Sequence, residues 1–294
     1  METRMNRAES VRGKVVVITG GARGIGLATA KVLDLLGAKV AIGDIDEQAV
    51  KQAGANLGLD VCGTLDVTDH DSFAGFLDEV ERRLGPVDVL VNNAGILPVG
   101  RLIDEPDALT RRALAVNVYG VIVGTKVAAR RMLARRSGHI INVASVNSET
   151  PSPGVATYCA TKHAVLGFTN SVRAEHRGTG VHYSVVLPAR TNTEMIAGID
   201  QARGLKNAEP ADVAKAIVGL IRKPKRRVTV TRAAGVVLVI QRILPGGVAD
   251  ALRRSIGLDH LFTDRIDLGK RATYEQRVRG SGAEDVCAER QYIN

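Results

Sequence analysis

The 294-residue chain contains no tryptophan, its aromatic residues amount to only 3%, and it has three cysteines, Cys62, Cys159 and Cys287. So sparse an aromatic set provides no row of stacking platforms for nucleic acid, and no nucleic-acid-binding motif accompanies the net charge of +9. Three scattered cysteines form neither a disulfide framework nor a zinc cluster, and they suit a reducing, cytoplasmic compartment. The six histidines show no His-Glu-x-x-His spacing, so no metal site is expected. Long apolar runs are also missing: the longest, residues 233–240, falls far short of the ~20 residues that a membrane-spanning helix needs. Residues 1–13 are polar and charged, which reads as neither a secretory signal nor a transit peptide.

What is present points to a globular chain able to bury a large core, with 45% apolar residues. From Lys14 onward short β-branched runs alternate with longer amphipathic stretches, the pattern of repeated β-α units and a parallel sheet. Strands are expected at 14–19, 39–44, 61–66, 87–92, 139–145, 182–187 and 227–231, which make one doubly wound, seven-stranded parallel sheet with helices on both faces in three α/β/α layers. Helical apolar spacing appears between them, as at Ile25, Ala28, Val32 and Leu35, or Phe73, Phe76, Leu77 and Val80. Positive charge is clumped at Arg130, Arg131, Arg135 and Arg136, and again at Arg222, Lys223, Lys225, Arg226 and Arg227. These clusters read as solvated helix ends, with peripheral membrane contact as the lesser alternative.

The first strand runs straight into Thr19-Gly20-Gly21-Ala22-Arg23-Gly24-Ile25-Gly26, where helical periodicity begins. Glycines there permit a tight turn and close backbone approach, and a helix amino terminus offers N–H groups to a pyrophosphate. Asp44 ends the second strand, where a carboxylate accepts hydrogen bonds from ribose hydroxyls. Farther on, Tyr158-Cys159-Ala160-Thr161-Lys162 sets a phenol and an ammonium one helical turn apart. Bringing a tyrosine pKa from about 10 to near 7 takes roughly 4 kcal/mol of preferential phenolate stabilisation, within reach of a nearby cation in a poorly solvated site. Ser145 closes the fifth strand and is placed to donate to the same substrate oxygen.

Together with Asp66-Val67, Asn92-Asn93-Ala94-Gly95, Asn117 and Pro188-Ala189-x-x-x-Thr193, these motifs make residues 14–231 resemble the short-chain dehydrogenase/reductase family. The resemblance implies a Rossmann fold and hydride transfer between a nicotinamide and a secondary alcohol or ketone. It implies Tyr158 as general acid/base, Lys162 lowering its pKa and binding the nicotinamide ribose, Ser145 orienting the substrate oxygen, and Asn117 holding a proton-relay water. Cofactor contacts are implied for Gly20, Arg23, Gly24, Ile25, Gly26, Asp44, Asp66, Val67, Asn92, Asn93, Ala94, Gly95, Tyr158, Lys162, Pro188 and Thr193. Asp44 repels a 2′-phosphate and Ile45 follows it where a basic residue often stands, so NAD is favoured over NADP, although Arg23 is able to pair with a phosphate. A homodimer or homotetramer is the common state of such proteins.

Two features depart from the family. Ala189 stands where glycine is usual and is compatible only if that position needs no positive φ. The chain also runs on: residues 1–257 read as one dehydrogenase domain with a substrate lid at about 190–209, and 258–294 as a polar extension whose last dozen residues are expected to be poorly ordered. The substrate pocket is expected to be lined by Ile96, Leu97, Val99, Val155, Met195, Ile196 and Ile199, an apolar set that tilts the substrate towards a steroid-, retinoid- or long-chain-like compound. The alternatives are an NADP-dependent carbonyl reductase and a non-catalytic dinucleotide-binding redox sensor. A serine hydrolase is disfavoured, because Ser145 lies in Val143-Ala144-Ser145-Val146-Asn147 with no Gly-x-Ser-x-Gly elbow.

Overall fold

The computed structural model describes residues 11–200, 206–231, 235, 247–248, 261–263 and 266–279. The mostly apolar residues 236–244 and the last dozen residues lie outside this set. Seven strands, β1 (Val15–Thr19), β2 (Lys39–Asp44), β3 (Val61–Thr64), β4 (Val89–Asn92), β5 (Gly138–Val143), β6 (Val181–Leu187) and β7 (Arg227–Thr229), form one sheet in the order β3-β2-β1-β4-β5-β6-β7. Every neighbouring pair is parallel, and the strands expected from sequence are all present with ends shifted by no more than two residues.

The side-chain alternation of a strand sorts the core into two layers. Val16 and Ile18 of β1 point to α1 (Gly24–Leu35), α2 (Glu47–Leu57) and α7 (Pro210–Arg222), packing with Ala30, Leu33, Val50 and Ile217. Val15 and Val17 point the other way, to α3 (His70–Leu84) and α5 (Gly120–Ala134), packing with Phe73, Leu77, Val127 and Met132. On that second face α6 (Ala156–Glu175) lays Val165 on Val185 and Leu187 of β6. A short α4 (Asp107–Leu114) leads into α5 through the π-helical turn Ala115–Tyr119, and α8 (Leu268–Arg279) lies near the carboxyl end.

The apolar face expected on α3 is the buried one, but that on α1 is not: Gly26, Thr29, Ala30 and Leu33 are buried, whereas Leu35 is 84% exposed. Apolar residues surround most of α1, so periodicity singles out no face; the small side chains of Gly26 and Ala30 decide which side approaches the sheet. Of the basic clusters, Arg131 is paired with Asp78 at 2.7 Å and Glu81 at 2.9 Å, and Arg227 with Glu149. The continuous helical stretch Asp107–Ala134 is long and apolar enough to cross a membrane by length and composition, yet 56% of its apolar window is buried in the fold against the sheet and α3.

Behind the carboxyl end of the sheet a buried polar chain ties β4, β5 and α6. Asn92 Nδ2 donates to Asn142 Oδ1 at 2.8 Å, and Asn142 Nδ2 donates to Thr169 Oγ1 at 2.8 Å. Asn142→Ala strands the Asn92 amide without a bonding partner of equal quality, and an unmade buried hydrogen bond costs about 1–3 kcal/mol. Urea denaturation is expected to show a loss of that size with an unchanged m-value.

Candidate active site

Between β1 and β4 the winding of the sheet reverses, and the carboxyl ends of these strands part into a crevice. β1 leaves the sheet through Gly20, whose φ of +64° suits glycine and whose absent Cβ would otherwise lie 2.9 Å from Ala94 Cα. A Cβ on Gly26 would run into the Gly20 carbonyl, so the amino end of α1 sits directly on the loop. No side chain caps α1, which leaves its first-turn N–H groups facing the crevice. Asp44, at the end of β2, is fixed by two backbone amides: Ala22 N–H donates to Oδ2 and Asp46 N–H to Oδ1, each at 3.2 Å. Arg23 pairs with Asp46 at 2.5 Å. That pairing and the Ala49 N–H bond, the larger cause, hold the Asp46 carboxyl below the usual aspartate range.

β5 delivers Ser145 to the same crevice, and its Oγ accepts the Asn147 N–H at 3.1 Å. Tyr158 stands in the first turn of α6 and Lys162 in the next, both buried. Lys162 Nζ donates to the Val143 carbonyl at 3.0 Å and lies 5.6 Å from the centroid of the Tyr158 ring. Burial pushes the Lys162 ammonium from 10.5 down to about 8. The Tyr158 phenol is held above its ordinary value, chiefly by burial, with the Ser145 hydroxyl offsetting part and Tyr274 and Cys159 adding to the rise. The depression expected from Lys162 is thus absent from this geometry, because the ammonium is turned to a backbone carbonyl rather than to the phenol oxygen.

Asn117 occupies the π-helical turn and is fully buried. Its Oδ1 accepts the Ile96 N–H at 2.8 Å, and its Nδ2 donates to the Ile96 carbonyl at 2.8 Å and to Thr161 Oγ1 at 3.1 Å. The amide is therefore fully engaged with protein, completing a deformed helix and fixing the β4 exit.

One cavity of about 1080 Å³ collects most of the residues singled out from sequence. Gly20, Arg23, Gly24, Ile25, Asp44, Asp66, Val67, Asn93, Ala94, Gly95, Ile96, Ser145, Tyr158, Lys162, Pro188, Thr193, Met195 and Ile196 line it. Gly26, Asn117 and Val155 do not; they support the wall from behind, Val155 within the apolar cluster of Tyr158, Leu97 and Phe262. Asn92 is also turned inwards, towards Asn142, and Asn93 uses its amide to bind the Thr19 and Gly20 carbonyls at 2.9 and 3.1 Å. Ala189 has no positive φ, which explains how alanine is accommodated there.

The cavity has a wall that the motifs did not reveal. Leu261, Phe262, Tyr274, Arg277 and Val278 line it, and Ile199 forms an antiparallel bridge with Ile266. The only signal for α8 in the sequence is the spacing of Arg271, Tyr274 and Val278 at i, i+3 and i+7, one face of a helix whose remaining residues are mostly polar.

Comparison with known proteins agrees with this geometry. The family profile for short chain dehydrogenases matches residues 14–204. The chain is 33% identical over 263 residues to the protein named "Probable oxidoreductase EphD" of Mycobacterium tuberculosis, covering 81% of this chain but only 44% of that relative, so it spans less than half of that protein's length. It is 36% identical over 215 residues to the 1-deoxy-11-beta-hydroxypentalenate dehydrogenase of Streptomyces exfoliatus, covering 71% of this chain and 78% of the relative. It is 35% identical over 222 residues to the secoisolariciresinol dehydrogenase of Forsythia intermedia, with coverages of 74% and 79%. The parallel sheet, the glycine loop at its switch point and the extent of these matches together place the chain in the short-chain dehydrogenase family.

Proposed function

We propose that this protein is an NAD-dependent oxidoreductase interconverting a lipophilic secondary alcohol and its ketone. The observation that carries the proposal is the convergence of Ser145, Tyr158 and Lys162 on the cavity that also holds the glycine loop and Asp44. The residues present fit a dinucleotide: α1 offers uncapped N–H groups, Gly20 and Gly26 allow close approach, and Asp44 offers a carboxylate to ribose hydroxyls. When bound, the dinucleotide supplies the hydride acceptor or donor. Asp44 disfavours a 2′-phosphate, and Arg23, the cation best placed to welcome one, is engaged by Asp46; both support NAD.

In oxidation Tyr158 takes the hydroxyl proton at its Oη, and in reduction it returns it. Ser145 accepts from Asn147, which leaves its own proton to donate to the substrate oxygen. Lys162 is the buried positive charge that would favour the Tyr158 phenolate once its ammonium turns from the Val143 carbonyl towards the phenol oxygen. The apolar lining from Ile96, Leu97, Met195, Ile196 and Phe262 supports a lipophilic substrate.

Three outcomes follow. Steady-state kinetics with both cofactors are expected to favour NAD in kcat/KM by at least about tenfold, with Asp44→Ala narrowing the gap; a similar preference for NADP overturns the assignment. Tyr158→Phe is expected to lower kcat/KM by about 10²–10⁴-fold with the NADH Kd, read from NADH fluorescence enhancement, unchanged. Undiminished turnover contradicts the assignment of the base, and NADH binding without turnover on any secondary alcohol or ketone favours a redox sensor. The third outcome concerns Lys162, whose folded value of about 8 lies below its ordinary 10.5. Within that window the unfolded chain binds the additional proton, so stability rises with pH until Tyr158, shifted the opposite way, acts above about pH 10. Denaturation of the cofactor-free protein is expected to show a gain of about 2–3 kcal/mol from pH 8 to pH 10, and Lys162→Met should flatten it.

A further inference from the structure

Ile96 and Leu97, consecutive residues beyond the end of β4, have no neighbouring strand among the described residues, and side chains answer their backbone groups. Asn117 takes both groups of Ile96. α8 takes both of Leu97: its N–H donates to Tyr274 Oη at 2.8 Å, and Arg271 Nη2 donates to its carbonyl at 2.7 Å. Arg271, fully buried, also donates from Nη1 to the Met195 carbonyl at 2.8 Å and from Nε to Glu275 at 2.6 Å. One guanidinium thus joins the β4 exit, the segment after β6 and α8, and it lies 4.5 Å from the centre of the Tyr274 ring.

This scaffold fixes the direction of the Tyr274 hydroxyl. Its oxygen accepts from Leu97, so its proton is available to another acceptor, and among the described residues none takes it. The side chain lines the cavity shared with Tyr158 and Ser145, and it is close enough to Tyr158 to contribute to the rise in that phenol's pKa. Burial pushes Tyr274 itself up to about 12, so it remains a donor across the working pH range. Around it Leu261, Phe262 and Val278 are apolar and Arg277 is engaged by Glu194, so a fixed donor there disfavours hydrocarbon at that point and favours oxygen.

We propose that Tyr274 is a specificity-determining residue that donates a hydrogen bond to a second oxygen of the substrate, apart from the one handled by Tyr158 and Ser145. The preferred substrate is then a lipophilic alcohol or ketone carrying a further hydroxyl or carbonyl oxygen, with Arg271 as the positioning residue that holds the donor in place. This rests on the assignment of Tyr158 as the acid/base that defines the reacting end of the cavity.

The test titrates matched cyclic ketones, with and without one tertiary ring hydroxyl at varied positions, into the full-length protein with oxidised NAD, a pairing in which no hydride can pass, and compares wild type with Tyr274→Phe. At least one hydroxylated ketone is expected to bind wild type about tenfold tighter than its plain counterpart, the scale of one well-made hydrogen bond. Tyr274→Phe keeps the ring over Arg271 and should bring that ratio close to one. A purely structural tyrosine shifts both members of a pair together and leaves the ratio intact, which overturns the proposal. So does a wild-type protein with no preference, a comparison that needs no variant to fold. Because the ratio is read from binding, an inactive but selective protein defeats the dehydrogenase assignment alone, whereas an active but unselective one defeats this proposal alone.

Discussion

At the carboxyl end of β4 the chain leaves the sheet beside the point where the winding reverses, and residues 93–97 lose their strand neighbours. Buried N–H and C=O groups must still be paired, so partners come from elsewhere in the fold. Thr19 Oγ1 accepts the N–H groups of both Asn93 and Ala94 at 3.0 Å, Asn117 answers Ile96, and Arg271 with Tyr274 answers Leu97. Each partner arrives from a different part of the sequence: the end of β1, the π-helical turn before α5, and α8. The glycine loop lies against this segment, and Ile96 and Leu97 line the cavity, so the same hydrogen bonds that satisfy a broken strand also set the spacing between the glycine loop and the apolar part of the cavity.

Two buried cations in this region differ in how they are satisfied. Arg271 meets two carbonyls at close range and the Glu275 carboxylate, with a tyrosine ring against its face, a set that fits a guanidinium fork. It acts as a tie between segments. Lys162 has the Val143 carbonyl and no carboxylate partner among the described residues, and its affinity for a proton falls accordingly. An ammonium kept so poorly compensated carries an electrostatic demand that a neighbouring anion or hydroxyl relieves. The Arg277–Glu194 pair at 2.6 Å, by contrast, is partly exposed and joins α8 to the segment after β6 more than it adds stability.

Much of this architecture was legible in the chain. Strands buried on both faces appear as unbroken β-branched runs such as Val15–Thr19, and their positions followed directly. The glycine loop, Asp44, Ser145, Tyr158 and Lys162 were legible because each depends on local geometry: a turn at a strand end, a carboxylate at the next one, a phenol and an ammonium one helical turn apart. The buried face of α1 was not, since a helix apolar on most sides carries no directional signal. Nor were the orientations of Asn92 and Asn93, adjacent amides on the same strand exit, one engaged by Asn142 in the interior and the other by the glycine-loop carbonyls.

What the sequence alone determined was the set of local elements and the chemistry they carry, because propensity, alternation and helical spacing act over a few residues. What only the tertiary structure decided was the company those elements keep. A charged stretch with the polar look of α8 becomes a wall of the cavity because Arg271, 174 residues from Leu97 and 76 from Met195, finds in their carbonyls the partners that allow its burial. Such pairing is a property of distance in space, and no short window of the chain records it.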